Sequence, residues 1–147
     1  MGFLELKDTI DSFVTPEPTN IRDCWDMVKE GITSILKESP TLTYLPEDVY
    51  SECVNGRAHL FTSPLGFVIL RVVNDSFTGD NTLLIWLAYV YKKGQHNWLT
   101  HVKWFEEVAK NADCKFLEAR STVPELEPYF LDSGWCLDTK IFIKDIR

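Results

Sequence analysis

The segment from Thr82 to Tyr91 constrains the fold more than any other part of the chain. It reads TLLIWLAYVY, with apolar side chains at both alternating sets of positions. A strand of this kind needs cover on both faces, so it belongs inside a sheet that has helices packed on each side. It is far shorter than the roughly 20 apolar residues that cross a bilayer. The sequence therefore predicts a layered α/β fold built around this strand.

Four helices are predicted from periodicity and capping. The first lies between Asn20 and Pro40, where apolar side chains return every three or four residues, with acidic residues early and a lysine late. Proline at a first helical position and a capping-box spacing mark two others. The three helices after the first are expected from Pro46 to about Asn55, from a cap at Asn97 to about Lys110, and from Thr122 to about Ser133.

The remaining strands are predicted where β-branched and aromatic residues cluster between turns. Thr15 to Asn20 holds two prolines and is expected to be loop. The other strands are Gly2 to Leu6, His59 to Thr62, Phe67 to Val73, Lys115 to Ser121 and Trp135 to Asp145. Short turns make the three middle strands antiparallel neighbours, and the helix from Asn97 is a crossover that makes the strands flanking it parallel. The prediction is one domain over residues 1–147, a mixed α/β fold of three layers with about six strands and about four helices.

Charge and cysteine spacing exclude several classes of function. Fifteen Lys and Arg against 22 Asp and Glu give a net charge of −7, which disfavours binding to a phosphate backbone. The four cysteines are too far apart for a zinc motif, and His96 and His101 are five residues apart, so no metal site is expected. The N-terminus lacks a signal-peptide pattern. We expect reduced, structural thiols in a cytoplasmic protein without a membrane span.

The element order, together with the stretch FLEARSTVPELEPYFLDSGWCLDTKIFI, resembles the GNAT superfamily of N-acetyltransferases. Members of that family commonly show a strand, a short helix ending in an aromatic residue, then Gly and an aromatic residue before a last strand. Phe130, Gly134 and Trp135 stand at those positions. The resemblance implies a sheet splayed open between the strands that begin near Thr82 and Lys115, with acetyl-CoA in the cleft.

The loop that would hold the pyrophosphate departs from the family pattern. Glycines there let backbone N–H groups at a helix start approach the phosphates. The loop here reads YKKGQHNW from Tyr91 to Trp98, in which only Gly94 fits and His96 takes the second glycine position. We therefore predict an eroded site and no cofactor. The alternative is an active acetyl-CoA-dependent enzyme, in which Val90, Lys92, Lys93, Gly94, Gln95 and Asn97 would bind the cofactor.

Candidates for the catalytic groups are weak. The family tyrosine that protonates the leaving thiolate aligns with Phe130, so its neighbour Tyr129 is the candidate acid. Glu118 and Asp80 are candidate bases by location only, and the alternative for Glu118 is a surface partner of a nearby basic residue. Losing a general acid costs about 10²–10⁴ in rate, so its absence alone would leave a slow enzyme.

The favoured function is a structural or protein-interaction component. Trp104 lies off the apolar face of its predicted helix and is the candidate interface residue, although it could instead cover a helix groove. The chain is similar to small GNAT-like proteins with worn cofactor loops in tailed bacteriophages, some of them virion-associated. That resemblance implies a protein partner, and a place in the host cytoplasm or the virion. A small binding domain with a convergent element order is a third interpretation, and the oligomeric state is open.

Overall fold

The computed structural model describes residues 15–92, 98–121 and 124–147. The predicted strand Gly2 to Leu6 and the predicted caps Asn97 and Thr122 lie outside these ranges. The strands are β1 (Glu17–Pro18), β2 (His59–Ser63), β3 (Gly66–Asn74), β4 (Asn81–Val90) and β5 (Phe116–Ala119). The helices are α1 (Trp25–Lys37), α2 (Pro46–Val54), α3 (Val102–Asn111) and α4 (Glu127–Asp132), and short 3₁₀ turns cover Ile21–Asp23, Trp98–His101 and Pro124–Leu126.

The described strands form one mixed sheet in the spatial order β1-β2-β3-β4-β5. Neighbours from β1 to β4 are antiparallel, and β5 runs parallel to β4. The parallel pair follows from the crossover through α3, which has to carry the chain back along the sheet. The predicted mixed α/β class and the predicted strand directions are therefore confirmed.

The sheet is covered on both faces, as the two-faced apolar strand requires. On one face, Phe67, Ile69 and Leu87 are buried with Val28 and Ile32 of α1. The opposite cluster joins β3 and β4 to α3 and the turn before it; its buried members are Val68, Leu70, Leu83, Trp98, Phe105 and Ala109. The interior position predicted for the segment at Thr82 is confirmed, and the molecule has three layers.

One β4 residue is extra relative to β3. Ile69 pairs with Leu87 and Leu70 pairs with Ile85, so Trp86 has no paired residue on β3 and forms a β-bulge. A bulge bends the strand locally and re-aims side chains, and bulges are over-represented beside functional sites. The bulge therefore separates residues 87–90 of β4 from the regular first half of the strand.

The loop predicted from Thr15 to Asn20 is wrong in part, because β1 lies within it. Pro18 is opposite Phe61 in β2, and the Thr19 N–H donates to the Leu60 carbonyl at 3.0 Å. Proline lacks an N–H but is tolerated on an edge strand, where one side of the backbone needs no partner. A two-residue edge strand is too short to show an alternating apolar pattern in the sequence.

The strand predicted from Trp135 to Asp145 is wrong. The segment has no regular structure, and its apolar side chains at Ile141, Phe142 and Ile143 are 70–91% exposed. A strand needs a partner edge as well as a suitable sequence, and the backbone of residues 136–147 makes no hydrogen bond to any strand in the described part of the chain. The sheet accordingly has five strands in the described ranges, against the six expected.

Candidate functional site

Strands β4 and β5 pair over only part of their length. Thr82 is opposite Phe116 and Ile85 is opposite Ala119, where β5 ends. β4 continues to Val90, so its residues 86–90 have no β5 partner in the described ranges. The pairing of β4 with β5 therefore ends just before the bulge at Trp86, and the resemblance implied a split between these same two strands.

Trp98 is fixed against this part of β4. Its indole Nε1 donates a hydrogen bond of 3.0 Å to the backbone carbonyl of Tyr89. The side chain is buried, at 7% exposed, and its ring lies 5.2 Å from His101 and 6.2 Å from Phe105. The turn that enters α3 is thus attached to the strand beyond the end of β5.

The predicted helix from Asn97 begins later than expected. Residues Trp98–His101 form a 3₁₀ turn and the α-helix begins at Val102. In a 3₁₀ helix, side chains three residues apart lie directly above one another. That geometry places Trp98 and His101 on one side of the turn, and both side chains are buried. His101, whose Nδ1 is 3.0 Å from the Thr100 hydroxyl, precedes α3 and gives no side-chain cap.

The candidate cofactor residues are only partly described. Lys93, Gly94, Gln95 and Asn97 lie outside the described residues. Val90 is half-buried at the end of β4, opposite Gly66, and Lys92 is exposed.

Tyr91, at the loop's first position, has a buried hydroxyl that finds no hydrogen-bond partner among the described residues. Burial raises the pKa of this hydroxyl, and the neighbouring Cys24 adds to the rise. The group is therefore a neutral phenol at physiological pH, unable to act as an anionic base.

The two catalytic candidates, Tyr129 and Glu118, lie on different elements of the structure. Tyr129 is exposed on α4, and the next residue, Phe130, packs edge-on against Trp135 at 5.3 Å between ring centres. Glu118 lies opposite Leu84, near the start of β4, and its carboxylate accepts from Arg120 Nε at 2.7 Å. Leu84 is five residues before Tyr89 on β4, so at about 3.3 Å per residue these two residues are about 16 Å apart along the strand.

Trp104, the candidate interface residue, is half-buried. Its ring meets Phe61 of β2 edge-on at 5.2 Å and lies 5.0 Å from the ring of Phe105. The residue thus extends the cover that α3 gives the sheet while leaving part of its indole in solvent.

An aromatic and charged cluster on the α1–α2 face was not predicted from the sequence. The Arg71 guanidinium lies 4.7 Å from the centre of the Trp86 ring and donates to Glu52 at 3.3 Å. Tyr44 lies 5.7 Å from the Trp86 ring, and burial raises the pKa of its hydroxyl. One signal was available: Arg71 interrupts the apolar run of β3, which indicates a charge that needs a partner.

Metal and disulfide chemistry find no support among the described residues. No group of three His, Cys, Asp or Glu side chains is arranged to hold a metal ion there. All four cysteines are free, and burial raises the pKa of the Cys53 thiol to about 11. Across the same ranges, none of the helices has the length and apolar content needed to cross a membrane.

Comparison with known proteins identifies the fold. No family model and no curated protein matches the sequence. Among solved structures, the chain is similar to a ribosomal-protein-alanine N-acetyltransferase from Brucella melitensis biovar Abortus 2308, with 13% identity, a TM-score of 0.63, and 90% of this chain and 100% of that chain covered.

A second solved structure is an aminoglycoside acetyltransferase from an uncultured soil metagenomic sample, in complex with sisomicin. It shares 10% identity and a TM-score of 0.65, over 94% of this chain and 99% of that one. The chain therefore has the fold of the GNAT acetyltransferases. At this identity the likeness concerns the fold alone, since one fold hosts many functions.

Proposed function

We propose that this chain is a GNAT-fold protein that has lost acetyl-CoA binding and works through contacts with other proteins. The observation that supports this most is the hydrogen bond from Trp98 Nε1 to the Tyr89 carbonyl. In an acetyltransferase of this fold, the open edge of β4 receives the extended arm of the cofactor. Here that bond fixes Trp98, the last residue of the loop that would hold the pyrophosphate, against β4 with its ring buried.

The start of α3 supports the same conclusion. Pyrophosphate binding at a helix start needs free backbone N–H groups and small residues around them. The loop from Tyr91 to Trp98 contains a single glycine. Two buried rings, Trp98 and His101, immediately precede the first α-helical residue. Lys92 is exposed, and an exposed charge at a helix end contributes only about 0.3–1 kcal/mol.

The alternative proposal is an active acetyl-CoA-dependent acyltransferase with a non-standard loop. The early end of β5 favours it, because residues 86–90 of β4 then have no β5 partner in the described ranges. In that case Tyr129 and Glu118 remain the candidates for acid and base. Glu118 lies opposite Leu84, about 16 Å before Tyr89 along β4, and its carboxylate is paired with Arg120 at 2.7 Å.

Titration with acetyl-CoA tests the proposal directly. We expect no saturable heat by calorimetry and no shift of the melting temperature up to millimolar acetyl-CoA. A ligand at 100 times its Kd would stabilise the fold by about 2.7 kcal/mol. For a chain of this size that is a shift of several degrees, at about 2–4 °C per kcal/mol. Inorganic pyrophosphate at equal concentration controls for non-specific anion effects, and a shift specific to acetyl-CoA would favour the active enzyme.

The interaction role needs its own test. We propose that the exposed part of Trp104 contributes to a protein interface, and that Trp104→Ala weakens binding of a purified partner more than Lys103→Ala, an exposed neighbour on the same helix. A Trp104→Ala variant with unchanged affinity would contradict the assignment. Association with a phage particle rests on the resemblance alone, and mass spectrometry of purified particles would test it.

A further inference from the structure

The end of the sheet beside the β3–β4 loop is uncovered on the face that carries α1 and α2. Val73, Thr82 and Phe116 lie opposite one another in β3, β4 and β5, so their side chains share one face of the sheet. Arg71, two residues before Val73, shares that face, and its guanidinium donates to Glu52 of α2. Val73 is 46% exposed and Phe116 is 57% exposed. The cover that the two helices give the sheet therefore ends before this row.

Phe77 extends the apolar row into the β3–β4 loop. Its side chain is 97% exposed, and it lines a groove of about 380 Å³ together with Val73 and Thr82. A continuous apolar surface with an aromatic side chain in solvent is typical of a protein interaction site. The groove lies at the start of β4, at the opposite end of the strand from residues 86–90.

Hydrogen bonds hold the β3–β4 loop in the conformation that exposes Phe77. Asp75 Oδ1 accepts from the backbone N–H of Phe77 at 2.8 Å and from that of Thr78 at 3.2 Å. The Gly79 N–H donates to the Asp75 carbonyl at 2.8 Å, and Gly79 has a φ of +77°, which suits glycine. Because the loop is ordered before any partner arrives, docking at Phe77 costs little further conformational entropy.

The charges around the groove favour a basic partner. Asp80 pairs with Lys115 at 3.4 Å, and Glu118 pairs with Arg120 at 2.7 Å. The fifth charge, that of Asp75, has no salt bridge in the described part of the chain, so these five side chains sum to one net negative charge. A second copy of this chain is a poor occupant, because it brings the same carboxylate and a net charge of −7 to the contact.

We propose that the groove beside Phe77 docks a segment of a different protein, in which a hydrophobic side chain lies next to a lysine or arginine. The hydrophobic side chain packs on Phe77 and Val73, and the cation pairs with Asp75. The inference rests on the interaction role proposed above. Its test uses neither acetyl-CoA nor Trp104, so the two proposals can fail separately.

A library of random short peptides, selected for binding to the full chain, supplies the probe. We expect the selected peptides to place hydrophobic residues next to Lys or Arg, and one synthetic peptide of that set to bind in calorimetry. Phe77→Ser should weaken this binding by about tenfold, as the loss of an aromatic anchor does. Phe142→Ser is the matched control, because Phe142 is also exposed, at 91%, but lies in the C-terminal segment, residues 136–147; this variant should bind as the wild type does.

Asp75→Asn tests the ionic part of the contact. Asparagine keeps an Oδ1 that accepts from the Phe77 and Thr78 N–H groups, so the loop should be retained, whereas the negative charge is lost. Peptide affinity should fall by up to about fivefold at low salt, the range of an exposed ion pair. At high salt the variant and the wild type should bind equally.

Other results would overturn the proposal. Equal affinity of the peptide for Phe77→Ser and the wild type would place the contact on another surface. Selection of no peptide, or of peptides without Lys or Arg, would contradict the basic occupant, as would unchanged affinity in Asp75→Asn. A wild-type dimer that Phe77→Ser converts to a monomer in sedimentation equilibrium would make a second copy the occupant. Because the Phe77 side chain is exposed, circular dichroism should show an unchanged fold in Phe77→Ser.

Discussion

The indole N–H of Trp98 and the backbone carbonyl of Tyr89 are joined by a hydrogen bond of 3.0 Å. This bond attaches the turn before α3 to β4 at a position that β5 has already left. The Tyr91 N–H, two residues further on, donates to the Leu65 carbonyl at 3.0 Å, so the Tyr89 carbonyl lies on the β3 side of the strand and not at the edge that β5 has left. The contact therefore attaches the turn before α3 to β4 and holds the Trp98 ring in a buried position there.

The Trp98→Phe variant separates the contribution of the hydrogen bond to stability from the contribution of ring packing. The variant keeps a buried aromatic ring but loses the donor, so we expect the free energy of unfolding to fall by about 1–2 kcal/mol. Trp98→Ala also removes the packing and should cost about 3–5 kcal/mol. Urea denaturation measures both values. Equal losses in the two variants would show that the hydrogen bond, and not the ring, supplies the stability.

Gly31 is expected to be intolerant of even a methyl group. A Cβ there would lie 2.5 Å from Phe67 Cε1 and 2.9 Å from Tyr89 Cδ1. Phe67 is fully buried and cannot move aside easily. Gly31→Ala should therefore destabilise the fold by about 1–3 kcal/mol from overpacking, although alanine is the better helix former. Glu30→Ala, on the exposed side of α1, should change stability little, and a stabilised Gly31→Ala would contradict the close packing.

Tyr91→Phe removes a hydroxyl that is buried without a partner in the described ranges. Such a group costs about 1–3 kcal/mol to desolvate. The phenylalanine variant should therefore be as stable as the wild type or more stable, as read from its thermal midpoint. Tyr129→Phe, at an exposed position, is the control and should be neutral. A clear loss of stability in Tyr91→Phe would show that the hydroxyl has a partner.

The stability contributed by Glu52 depends on pH in a definite direction. Arg57, which donates to the carboxylate at 2.9 Å, and then Arg71 hold its pKa below the ordinary value of 4.5. A depressed carboxyl pKa stabilises the folded state fully above the unfolded value and loses that effect as pH falls through the folded value. The difference in unfolding free energy between wild type and Glu52→Gln should thus be constant at neutral pH and shrink below about pH 4.5. High salt should also reduce it, because Arg57 is exposed and Glu52 and Arg71 are only partly buried.

The four cysteines should react at different rates. Burial raises the pKa of Cys53 to about 11, so almost none of it is thiolate near neutral pH. Cys136 is exposed on the C-terminal segment. Alkylation with iodoacetamide, followed by peptide mass spectrometry, should label Cys136 first and Cys53 last. Rapid labelling of Cys53 in the folded protein would mean that α2 opens locally.

Several features of the fold could be predicted from residue patterns alone. The two-faced run at Thr82 required an interior strand with helices on both sides, and the crossover helix required a parallel neighbour. These predictions succeeded because periodicity and chain direction are local properties with few solutions. The sequence also pointed to Trp98 as a bulky residue in the cofactor loop, although its partner could not be known.

The tertiary structure alone decided the rest. The bulge at Trp86 depends on the register between β3 and β4, and register is a relation between two segments. The hydrogen bond to Tyr89 depends on where the turn before α3 meets β4. The segment from Trp135 to Asp145 has the composition of a strand, yet it is a strand only where a free edge meets it. Composition determines which side chains favour burial, whereas the relative positions of distant segments determine which of them are buried.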